Sequence, residues 1–95
     1  SEQKALLSYY IASFADNALE LKVFLNEEVA RLKGVLQESL TTEEIKSNPE
    51  MVRRTKEGIS CLNEFAKAPV EEKTLLTVLR TQSLAREVQA NGDNS

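Results

Sequence analysis

Few side chains in this sequence offer reactive or ligating chemistry. Three adjacent carboxylate pairs stand out: Glu27-Glu28, Glu43-Glu44 and Glu71-Glu72. General acid–base catalysis needs two carboxylates converging in a cleft that drives their pKa values apart. Neighbouring residues on a helix diverge by about 100° and do not face one another. The chain has no histidine and one cysteine, Cys61. It therefore has no Ser-His-Asp or Cys-His dyad, no imidazole zinc ligand and no cysteine-rich metal site. Gly34, Gly58 and Gly92 are isolated, so no phosphate-cradling loop is present, and no Asp-rich calcium loop occurs. The reading is non-enzymatic, with no catalytic, metal or cofactor-binding residue.

Three remaining groups have structural rather than chemical readings. Glu28 interrupts an apolar seam, and the expected partner is Arg53, Arg54 or Lys56 on a facing helix, a pair that would fix register. Cys61 lies beside Ile59 and Leu62, with Glu57 and Glu64 nearby, and reads as a small buried hydrophobe rather than a reactive thiol. Arg53, Arg54 and Lys56 form the densest basic cluster, but Glu50 and Glu57 offset it. A solvated face fits better than a phosphate reader. The net charge of −3 lacks the positive field that nucleic-acid binding requires.

The elements that carry these groups are helical. Leu7, Ile11, Phe14, Ala18, Leu21, Leu25, Leu32 and Val35 recur at three- and four-residue steps, broken at Glu28. They predict one helix over about 2–40, roughly 57 Å long. Gly34 lies inside it and marks a place for close helix approach. A short turn over Thr42 to Lys46 follows, with capping boxes at Thr41/Glu44 and Ser47/Glu50. A second helix is predicted over about 49–67, with Val52, Thr55, Ile59, Leu62 and Ala66 on its apolar face and Phe65 beside it. A third runs over about 69–90, carrying Leu75, Val78, Leu79, Ala85 and Val88. Asn91-Gly92 reads as its stop, leaving a frayed tail over 91–95.

The predicted fold is all-α, in a single domain over 1–90. The second and third stretches together match the first in length. This favours a long antiparallel hairpin whose return arm is kinked at Pro69 and buries the whole seam. The alternative is a three-helix bundle with the chain reversing at Ala68-Pro69. The longest apolar run, Ala5 to Ala15, is too short to span a bilayer, which needs about 20 residues. A single cysteine removes any need for an oxidising compartment, so the expected setting is cytoplasmic or nuclear.

Four of the five aromatics fall within the first 24 residues. Leu6, Tyr9, Tyr10, Phe14 and Phe24 are the predicted partner-binding anchors, because aromatic side chains dominate interface energetics. Leu19, Val23 and Ala30 extend the same outer face. The functional reading is a protein–protein interaction module, an adaptor or scaffold subunit of a helical or coiled-coil assembly, working as a homodimer or in a heteromeric complex. Two other classes compete with it: a peripheral membrane-associated amphipathic helix and a small ligand-binding helical bundle. The first lacks the Lys/Arg-rich polar face that such helices use, and the second lacks a buried polar cluster.

Overall fold

A computed structural model of the chain describes residues 18–67 and 69–93, with the backbone alone at 18, 72, 92 and 93. Ala5, Ser8, Tyr9 and Ala12 are also described, each helical. Among the described residues the fold is all-α: α1 spans Ala18–Ser39, α2 Glu43–Lys46, α3 Pro49–Phe65 and α4 Glu72–Asp93. The expected start of the first helix, near Glu2, lies outside the described residues.

Hydroxyl side chains end α1. Ser39 Oγ donates to the Leu36 carbonyl at 2.7 Å, Thr41 Oγ1 to Glu38 at 2.7 Å and Thr42 Oγ1 to Ser39 at 2.8 Å. They share those carbonyls with the backbone N–H groups of Leu40, Thr41 and Thr42, which tighten the last turn. Thr42, not Thr41, then caps α2, accepting from the Ile45 N–H at 3.4 Å. Asn48, not Ser47, caps α3, accepting from the Met51 N–H at 3.2 Å, with Pro49 in the tolerated first turn. In both places the cap stands one residue later than expected, because it must immediately precede the first helical residue.

The start of α4 is set by Thr74. Its Oγ1 accepts from the Glu71 N–H at 2.7 Å, the reciprocal half of a capping box. The helix therefore begins at Glu72 rather than Pro69. At its other end α4 passes through Asn91-Gly92, expected as its stop, to Asp93.

The three long helices each pack against the other two, and α2 touches both α3 and α4. Arg54, early in α3, pairs with Glu87, late in α4, so these two helices run antiparallel and side by side. Both also contact α1. α3 stops at Phe65 and α4 starts at Glu72.

Packing on two neighbours also moves the buried stripes. On α1 the buried positions are Leu25, Val29, Leu32, Leu36 and Ser39, while Leu21, Phe24 and Val35 are half-buried against them. On α3 they are Met51, Thr55, Leu62 and Phe65, with Val52 and Ile59 at the margin and Ala66 exposed. Both stripes are displaced by one residue at several steps from a one-partner seam, because contact with two helices widens and rotates the covered face. On α4, Leu75, Val78, Leu79, Ala85 and Val88 are buried as predicted, joined by Leu84. Ile45 of α2 closes the core.

Close approach occurs at Gly58, not Gly34. A Cβ at Gly58 would lie 2.9 Å from Leu84 Cδ2 and 3.2 Å from Leu36 Cδ1, whereas one at Gly34 would meet nothing within 4 Å. Gly58 sits midway between Thr55 and Leu62 on the buried stripe of α3, where three helices converge.

Candidate functional site

The anchors predicted on the first helix separate into two groups. Leu6, Tyr10 and Phe14 lie outside the described residues. Tyr9 is helical and 64% exposed. Phe24 is half-buried and packs against the core, so its ring contributes to the fold. Of the residues expected to extend that outer face, Leu19 is 76% exposed and Val23 51% exposed. These two are four residues apart and so lie on one side of the helix. Ala30 is exposed two turns further along.

The stripe's position follows from the core. With Leu25, Val29, Leu32 and Leu36 turned inward, Leu19 and Val23 fall outside the arc that α3 and α4 cover. Lys22 is half-buried and places its Nζ 5.9 Å from the Phe65 ring centroid, a cation–π contact tying α1 to the end of α3.

Glu28 sits on the margin of the buried face, its side chain 16% exposed. Its partners are not Arg53, Arg54 or Lys56. Arg31 donates to it through Nε at 2.6 Å and Nη2 at 3.1 Å, and Gln82 Nε2 of α4 donates at 2.6 Å. The Arg31 hydrogen bond holds the Glu28 carboxyl below the usual glutamate range; burial opposes this, and Gln82 adds to it. Glu28 therefore does join two helices, but through an amide on α4. The expected basic residues lie elsewhere because the register of α3 turns them outward. Arg53 pairs with Glu50 and Glu57 on its own helix, and Arg54 forms two 2.9 Å bonds with Glu87. Arg53 and Arg54 are thus ion-paired, and Lys56 is exposed beside them.

Cys61 is exposed, not buried. The core of α3 runs through Thr55, Leu62 and Phe65, which leaves position 61 on the outer side, facing α4. It lines an open cleft of about 460 Å³ between α3 and α4, with Phe65, Leu76 and Thr77 among its walls. The sequence reading missed this cleft. Its signal is the set of small residues Gly58, Cys61 and Thr77, which let two helices meet while leaving space on their outer side.

Among the described residues no group of three His, Cys, Asp or Glu side chains is placed to hold a metal ion. No helix among them is long and apolar enough to cross a membrane. Neither a protein-family model, nor a curated protein, nor a solved structure matches the chain.

Proposed function

We propose that this chain is a non-enzymatic protein–protein interaction module, an adaptor or scaffold subunit that docks a partner helix on the outer face of its first helix. The observation that carries this reading is the exposure of Leu19 and Val23 side by side on α1. Such a pair gains by burial against a complementary apolar helix face, at about 25 cal/mol per Å² of apolar surface removed from water. Tyr9, also exposed, supplies an aromatic body with a polar tip, suited to the rim of an interface. The lack of histidine and the ion pairing of Arg53 and Arg54 support a role in binding over catalysis or phosphate recognition. A cytoplasmic or nuclear setting belongs to the same proposal and rests on the single cysteine.

Sedimentation equilibrium across a concentration range tests it, comparing the wild type with the double variant Leu19→Asp, Val23→Asp. The expected result is self-association in the wild type that is lost in the variant, with helical content unchanged by circular dichroism. A chain that stays monomeric, or an oligomer indifferent to both substitutions, overturns docking through this face with a second copy as the partner helix.

A further inference from the structure

The cleft between α3 and α4 is a second surface, and among the described residues none of α1 lines it. It continues into an adjoining cleft of about 330 Å³, the two sharing Cys61, Thr77 and Arg80. Together they run along α4 from Lys73 to Leu84, about 16 Å at 1.5 Å per residue, which is three helical turns. Phe65 and Leu76 provide an apolar floor.

The charge on its walls favours cations, with Arg54, Lys73 and Arg80 against Glu57 and Glu64. Glu64 and Glu57 both line the groove, and each has a nearby cation in sequence, Lys67 just past the end of α3 at 3.7 Å and Arg53 on α3 at 2.9 Å. Lys73 and Arg80 form no ion pair among the described residues, and both are exposed. They stand seven residues apart, two turns or about 10 Å along the same wall. On a chain of net charge −3, this is a local reversal of sign beside an apolar floor.

We infer that this groove binds an acidic amphipathic helix of a partner protein. Apolar side chains at i, i+3, i+4 and i+7 would rest on Phe65 and Leu76, and carboxylates two turns apart would meet Lys73 and Arg80. An open trough three turns long suits a helix laid in a groove. The opposite charge sets which partner is accepted and speeds its encounter.

Cys61 makes the test direct, because it is the only cysteine and lies in the groove. The probes are two synthetic amphipathic peptides of three to four turns, identical in their leucines and flanked either by glutamates or by lysines. The readout is the rate at which iodoacetamide alkylates Cys61 in the full chain. The glutamate peptide is expected to slow alkylation about fivefold when present at four times its Kd, and the lysine peptide to leave it unchanged. Lys73→Glu with Arg80→Glu should exchange the two results. Should that pair disturb folding by circular dichroism, Lys73→Gln with Arg80→Gln should abolish protection by the glutamate peptide. Leu19→Asp with Val23→Asp should retain full protection, which separates this site from the α1 face. Equal protection by both peptides, protection by neither, or protection by sodium dodecanoate exceeding that of the glutamate peptide overturns the proposal.

Discussion

Thr55 places a hydroxyl where the core has none to match it. The residue is 0% exposed, and its Oγ1 has no hydrogen-bond partner among the described residues. A buried hydroxyl that has lost water without gaining a partner costs about 1–3 kcal/mol. Valine has nearly the same shape and lacks the polar atom. Thr55→Val should therefore raise the unfolding free energy by about 1 kcal/mol, measured by urea denaturation. A loss of stability would mean that the hydroxyl is satisfied in solution. At this scale the sequence was only partly legible. Thr55 could be placed on the apolar face from its spacing, but whether its hydroxyl meets an acceptor depends on a neighbouring helix.

For single helices, the two interior glycines separate propensity from packing. Glycine in a helix interior costs about 1 kcal/mol relative to alanine. At Gly34, on the exposed side of α1, the added methyl meets nothing, so Gly34→Ala should stabilise by about 0.5–1 kcal/mol. At Gly58 the methyl would press on Leu84 and Leu36, and overpacking in a core costs about 1–3 kcal/mol. Leu36 is fully buried and has little room to give. Gly58→Ala should therefore lose about 1 kcal/mol despite its gain in propensity. Thermal unfolding of both variants checks the contrast; equal stabilisation would remove the close approach at Gly58. Sequence spacing located both glycines within helices but attached the close contact to the wrong one. A helical pattern states which residues share a face and is silent on which face meets a third helix.

Acid acts on the molecule as a whole, because α4 is tied to each long neighbour through a carboxylate. Gln82 of α4 donates to Glu28 of α1, and Glu87 of α4 accepts from Arg54 of α3. Arg31 chiefly holds the Glu28 carboxyl below its ordinary range, and Arg54 does the same for Glu87. A carboxylate whose folded pKa is depressed contributes stability that is fully present above its unfolded value, about 4.3. That contribution is lost as pH falls from there through the folded values. The double variant Glu28→Gln, Glu87→Gln should be less stable than the wild type near neutrality and should lose less between about pH 5 and 3. Denaturation curves at several pH values test this, and parallel pH profiles would show that neither pair is linked to folding. Both sites are partly solvated, so the effect should be modest, of the order of a surface ion pair.

The all-α class, the buried face of α4 and the approximate extents of α3 and the short α2 are all readable in the sequence. They depend on local spacing, proline and polar caps, which act within a few residues of chain. Cap identity slipped by one position, since a cap is defined by the turn that follows it. The relation of α3 to α4, the rotation of the buried stripes, the exposure of Cys61 and the amide partner of Glu28 were decided by tertiary structure. Each depends on how three helices divide one another's circumference between core and solvent. A periodic sequence sets which side chains lie together on a helix, but the number and angle of the helices packed against it set which of them water can reach.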